Sequence, residues 1–223
     1  CFGAASGTAT AHPSGGVGNF TYQWSGTAAG QTAQTATGLA LGVYSVTAID
    51  GNGCDRVDVF NVGQAPQLSG SISGGTIACI GGVATATAAG SGGTPIALSS
   101  YIYNWTNGQT SATAVNLSAG VHCVTITDAN SCNIVECVTI TAPSTAVSGS
   151  ISAQTDALCL GSSDGTATAQ GVGGTPGYTY VWQTIPNQNT QTATGLAAGS
   201  YTVVVTDTNG CTAQTTVTIS EPS

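Results

Sequence analysis

The chain has 223 residues of which only 4% are charged, and nine carboxylates against one arginine, Arg56, with no lysine give a formal net charge of −8. That balance excludes nucleic acid, whose phosphates are held by clustered Lys and Arg, and it makes an anionic membrane surface repulsive. No run approaches the roughly 18 apolar residues of a membrane span, and no basic segment precedes an apolar core, so membrane insertion is not expected of these residues. Eight cysteines without a CxxC pair or a histidine cluster argue for disulfides, and therefore for an oxidising, extracellular setting.

In chain order, the first elements are Cys1-Phe2-Gly3, the Thr-x-Thr pair Thr8/Thr10 and an aromatic ladder of Phe20, Tyr22 and Trp24. A polar stretch then leads to Leu39–Tyr44, followed by a Val-rich strand that ends in Asp50-Gly51-Asn52-Gly53-Cys54. The same order returns after Pro66: a strand over Leu68–Ser73, Cys79-Ile80-Gly81, a longer turn around Ile96 to Ser100, the ladder Tyr101, Tyr103, Trp105, then Leu117–His122 and Asp128–Cys132. After Pro143 it returns again as a strand over Val147–Ile151, Cys159-Leu160-Gly161, Gly165–Ala169, Gly173-Gly174-Thr175-Pro176, Tyr178, Tyr180, Trp182, Leu196–Tyr201 and Asp207–Cys211. The chain is one module written three times, over residues 1–66, 67–143 and 144–223, the first without the strand that precedes Cys79 and Cys159.

Six or seven short strands per module, each bounded by Gly, Pro or Asn, predict an all-β chain of tandem immunoglobulin-like β-sandwich repeats. Period-2 alternation places the three ladder rings on one strand face, where core packing is the expectation and a sugar-stacking platform the alternative. The Leu-x-x-Gly-x-Tyr element resembles a tyrosine corner. Asn-Gly at the strand junction predicts a type I′ hairpin turn, in which both central residues take positive φ.

The cysteine spacing predicts one staple per module at its N-terminal pole, pairing Cys1 with Cys54, Cys79 with Cys132 and Cys159 with Cys211. On the chain-entropy model such a loop contributes roughly 4 kcal/mol. An additional pair, Cys123 and Cys137, lies symmetrically about the Asn130 turn and out of phase with Val124, Ile126, Val138 and Ile140, which predicts a cross-strand disulfide on the outward face of that hairpin. Lipid attachment at Cys1 is disfavoured because its counterparts Cys79 and Cys159 lie mid-chain.

Catalysis finds no support. His12 and His122 occur in different copies, His122 stands where the other copies have tyrosine, and no nucleophile is paired with a base. Calcium is the one cofactor with candidate ligands, because Asp50, Asp128 and Asp207 recur beside Asn52, Asn130 and Asn209; the plainer reading is an aspartate capping its own turn. The Thr-x-Thr pairs Thr8/Thr10, Thr85/Thr87 and Thr166/Thr168 read as solvent-facing strand.

These motifs resemble the SprB repeat family of large cell-surface adhesins. The third copy follows the family outline throughout, from Cys159 to Pro222, while the first has Gly-Val after its two glycines and the second has His122 for tyrosine and Ser131 for glycine. The resemblance implies export to the cell surface, long tandem arrays and a role in adhesion or gliding motility. The function expected is thus a structural segment of an extracellular fibre or adhesin stalk, its partners being neighbouring repeats or subunits of the same fibre. The alternative is a module binding surface carbohydrate through loops around residues 25–34, 106–112 and 183–191. For the strand missing before Cys1, a segment of a longer array and a strand donated by a neighbouring subunit are the two readings.

Overall fold

The computed structural model of the chain describes residues 1–96 and 100–223, so the expected long turn at Ile96–Ser100 falls largely outside the described residues. Among the described residues there are seventeen β-strands, one three-residue 3-10 turn at Gly26–Ala28 and no α-helix. Among the described residues no helix is long and apolar enough to cross a membrane. The chain packs as two compact units: Cys1–Ile72 with Ala88–Ala112 and Cys123–Glu136, and Ser73–Thr87 with Thr113–His122 and Cys137–Ser223.

In the second unit the third repeat is complete. Its strands are β12 (Ser148–Thr155), β13 (Gly165–Val172), β14 (Thr179–Trp182), β15 (Thr192–Leu196), β16 (Gly199–Thr206) and β17 (Thr212–Ile219). One sheet has the order β12-β13-β15 and the other β14-β16-β17, all antiparallel. First, second and fourth strands thus face third, fifth and sixth, the partition of an immunoglobulin-like sandwich. Small residues on β13, Ala167 and Ala169, leave room for the Trp182 ring, and Leu196, Val203, Val217 and Ile219 close the core around it. The ring is fully buried, and its indole N–H donates to the Thr190 carbonyl at 3.1 Å, so its one polar atom is satisfied.

The first repeat, in the first unit, repeats this plan with β1 (Gly7–Thr10), β2 (Thr21–Trp24), β3 (Thr35–Leu39), β4 (Gly42–Ile49) and β5 (Asp55–Val62). Its sheets are β1-β3 and β2-β4-β5. Trp24, Ala36, Leu39, Tyr44 and Val46 form the core, and Phe60 meets the Trp24 ring edge-on with centroids 5.7 Å apart. The two-stranded sheet leaves a groove of about 880 Å³ lined by Ala9, Ala11, Phe20, Trp24 and Phe60.

The middle repeat contributes to both units through β6 (Ser69–Gly74), β7 (Ala84–Ser91), β8 (Ile102–Trp105), β9 (Thr113–Leu117), β10 (Gly120–Thr127) and β11 (Asn133–Ile140). The sheet orders are β6-β7-β9 and β11-β10-β8, as in the third repeat. Within the first unit Val124 lies opposite Trp105; within the second Ala86 lies opposite Ala114.

The ladders are core elements, as the alternation requires. Trp24, Trp105 and Trp182 are buried, and their indole N–H groups donate to the carbonyls of Ala33, Ser111 and Thr190. Tyr178 donates to the Gly173 carbonyl, and the Tyr180 hydroxyl accepts from the Gly171 amide. Gly171 is required here by space: a Cβ would stand 2.6 Å from Cγ of Tyr178 and 2.9 Å from Val205. The corner motif is also present, with Tyr44 and Tyr201 donating to the carbonyls of Ala40 and Ala197 at 3.0 Å. His122 takes the same place, its Nε2 lying 2.8 Å from the Ser118 carbonyl.

The hairpin turn differs from the expected type. Within the three tips only Gly53, Ser131 and Gly210 have positive φ, and their amides donate to the carbonyls of Asp50, Asp128 and Asp207. This is a type I turn followed by a left-handed residue, the longer hairpin connection, rather than type I′. The aspartate side chain decides it, by holding two amides of the turn at once.

Candidate functional site: cross-repeat disulfides and aspartate-held turns

Each Cys-x-Gly triplet is a tight turn. The amides of Ala4, Gly82 and Ser162 donate to the carbonyls of Cys1, Cys79 and Cys159, each at 3.0 Å, with Gly3, Gly81 and Gly161 at φ between 75° and 77°. Glycine is needed there because L side chains resist that region.

The aspartates of the hairpin tips bind two loops together. Oδ1 of Asp207 accepts the amides of Asn209 at 2.9 Å and Cys211 at 2.8 Å, while Oδ2 accepts the amide of Thr175 at 2.9 Å from the turn before β14. Asp128 does the same with Asn130, Cys132 and Thr94, and Asp50 with Asn52, Cys54 and Val17. Asp128 and Asp207 are only 3% and 4% exposed, yet ionised, because amide donors replace the lost water. These donors hold all three carboxyls below the usual carboxylate range: Cys54 leads at Asp50, Thr94 at Asp128 and Thr175 at Asp207. The oxygens weighed as calcium ligands therefore face N–H groups, which suit an anion and repel a cation. Among the described residues no group of three or more His, Cys, Asp or Glu side chains is arranged to hold a metal.

The disulfides depart from the expected pairing. Cys1 bonds Cys132, and Cys79 bonds Cys211, with Cα atoms 5.3 and 5.6 Å apart, while Cys54 and Cys159 are free and exposed. The bonds run from the Cys-x-Gly turn of one repeat to the hairpin tip of the next, so the within-repeat pairs Cys1–Cys54, Cys79–Cys132 and Cys159–Cys211 do not form.

The reason is strand direction. Cys159 follows β12, and β12 runs antiparallel to β13 with Ser148 opposite Val172 and Thr155 opposite Thr166. The loop carrying Cys159 therefore sits where β17 ends: the Ala157 amide donates to the Ser220 carbonyl, and the Gly161 amide donates to Glu221 at 2.7 Å. The Asp207–Cys211 tip lies at the other end of the eight-residue strands β16 and β17, about 25 Å away at the usual rise per residue. A pole-to-pole bond within one sandwich is out of reach, and the next hairpin tip is the neighbour available. Cys123 and Cys137 are each disulfide-bonded.

Around the bonds the repeats meet in small clefts. In the first unit a cavity of about 390 Å³ is lined by Cys1, Phe2, Leu41, Val62, Pro66, Cys132 and Ile134. In the second a cavity of about 160 Å³ is lined by Cys79, Ile80, Pro143, Val147, Cys211 and Thr212, and the Asn209 side-chain amide donates to the Ala78 carbonyl at 3.2 Å. Sequence reading missed this carbonyl contact, and the only hint of it was the recurrence of asparagine at the tip.

Two of the loops considered for ligand binding, 25–34 and 183–191, are tied to the strand that follows them. Gln31 forms a pair of hydrogen bonds with the Thr37 backbone, and Gln188 forms the same pair with Thr194. The threonines behave as strand surface, with Thr10–Thr35, Thr87–Thr113 and Thr168–Thr192 hydroxyl pairs across neighbouring strands.

Several solved structures resemble the chain. Three N-terminal domains of the highly immunogenic outer capsid protein Hoc of bacteriophage RB49 share 13% identity at a TM-score of 0.49, over 97% of this chain and 94% of that one. The N-terminal eight Ig domains of Down syndrome cell adhesion molecule share 11% at 0.35, over 92% of this chain and 32% of that one. A tetra-tandem repeat in the extending region of a large adhesion protein shares 13% at 0.32, over 91% and 67%. No curated protein is significantly similar in sequence. Residues 1–29 and 151–187, in the first and third copies, match the family model of the SprB repeat, so the chain carries SprB-type repeat sequence.

Proposed function

We propose that the chain is a structural segment of an extracellular cell-surface fibre or adhesin stalk, built of three modules at residues 1–66, 67–143 and 144–223, and serving surface adhesion or gliding motility. The observation that carries this reading is the pair of overlapping disulfides, Cys1–Cys132 and Cys79–Cys211. Each bond bridges one repeat to the next, so a pull along the chain is borne by covalent bonds at the junctions as well as by the folded sandwiches. The SprB match supports the cell-surface setting, and eight cysteines fit an oxidising compartment. Turn carboxylates occupied by backbone amides and ladder rings buried in the cores support a structural rather than catalytic role. Antibody raised against residues 1–223 is expected to label intact, unpermeabilised cells that make the parent protein. Labelling only after permeabilisation would overturn the reading.

A further inference from the structure

The two free cysteines are one of each kind. Cys54 is a hairpin-tip cysteine and Cys159 a Cys-x-Gly cysteine, the same two kinds that pair in Cys1–Cys132 and Cys79–Cys211. Each is presented as its bonded counterparts are: the Cys54 amide donates to Asp50 at 2.9 Å, as those of Cys132 and Cys211 do to Asp128 and Asp207. Cys159 sits on the same turn as Cys1 and Cys79.

The surface beside Cys159 is apolar and exposed. Where Cys79 is bonded, the preceding Ala78 carbonyl accepts the Asn209 amide and the following Ile80 lines the cleft. The corresponding residues beside Cys159 are Leu158 and Leu160, apolar side chains 77% and 75% exposed. On the Cys54 side, Asn52 stands where Asn209 does.

We propose that Cys159 of one molecule forms a disulfide with Cys54 of a second copy of this chain, reproducing the internal junction between molecules. The contact is heterologous, so each added copy brings one Cys54 and one Cys159 of its own, and growth is open-ended. The oxidant is a low-molecular-weight disulfide. The Cys159 thiolate attacks it, forming a mixed disulfide and releasing one small thiol; the Cys54 thiolate of the second copy then displaces the other. Two protein thiols lose two protons and two electrons, and the oxidant becomes two thiols.

The test is oxidation of residues 1–223 by glutathione disulfide, read by non-reducing electrophoresis and peptide mapping. A ladder of integer multiples of the monomer is expected, with Cys54–Cys159 as its cross-link. Cys54→Ser and Cys159→Ser should each stay monomeric alone and give covalent dimers, and nothing larger, when mixed. Cys159–Cys159 links, a Cys54–Cys159 bond inside one molecule, or monomers retaining both thiols would overturn the proposal. Such a failure would leave the stalk reading untouched, since that is tested by surface labelling.

Discussion

Cys79 and Cys211 lie 132 residues apart in sequence, and their Cα atoms lie 5.6 Å apart. Because Cys1 and Cys132 are joined in the same way, the two covalent loops overlap between residues 79 and 132.

Overlap limits extension. From residue 1 to residue 223 a covalent path crosses to Cys132, returns over 53 residues to Cys79, crosses to Cys211 and runs 12 residues to the end. Single-molecule stretching between the termini should therefore stop at about 230 Å without reductant and reach about 780 Å with it, at roughly 3.5 Å per residue. Equal lengths in both conditions would refute the cross-repeat pairing.

Removing one bond should cost stability. Cys79→Ser with Cys211→Ser releases a loop of 132 residues, for which the chain-entropy model gives up to about 5 kcal/mol. Denaturant unfolding should show an earlier transition in the second unit, and the change should not simply add to that of a Cys1/Cys132 variant, since the loops overlap.

The tip aspartates set an acid limb. Amide donors, Thr175 first at Asp207 and Thr94 first at Asp128, lower their folded pKa values below 3.8. A depressed carboxylate pKa contributes stability that is complete above the unfolded value and lost as pH falls through the folded one. Melting temperature should drop on acidification below about pH 4, and replacing Asp50, Asp128 and Asp207 by Asn should lower it at neutral pH and flatten that drop. Calorimetry across pH 2 to 7 checks both.

Two core positions of the third repeat should respond oppositely in size. Trp182→Ala opens a cavity in a fully buried site and should cost about 3–5 kcal/mol. Gly171→Ala drives a Cβ against Tyr178 and Val205 and should cost about 1–3 kcal/mol by overpacking. Urea midpoints followed by circular dichroism separate them.

The middle tip offers a gain. Ser131 holds φ of 61° where the other copies have Gly53 and Gly210, so Ser131→Gly should stabilise by roughly 0.5 kcal/mol, net of glycine's larger unfolded-state entropy. A lowered urea midpoint would contradict this.

Much of the fold was legible because it is written in local pattern. Alternation placed Trp24, Trp105 and Trp182 inside, small residues on β13 made room for Trp182, and the Leu-x-x-Gly-x-Tyr spacing placed the corner hydroxyls of Tyr44 and Tyr201 on their carbonyls. The turn type was not legible, because Asp-x-Asn-Gly suits two hairpin geometries until the carboxylate's partners are known.

What the sequence by itself determined was the repeat, the sandwich class and the existence of a cysteine at each turn. Only the tertiary structure decided which cysteines meet. Repeated modules offer each Cys-x-Gly cysteine equivalent tips at several sequence distances, and spacing cannot choose among them. Antiparallel pairing of β12 with β13 puts the Cys-x-Gly turn at one pole and the hairpin tip at the other, so the bond must leave the repeat in which it begins.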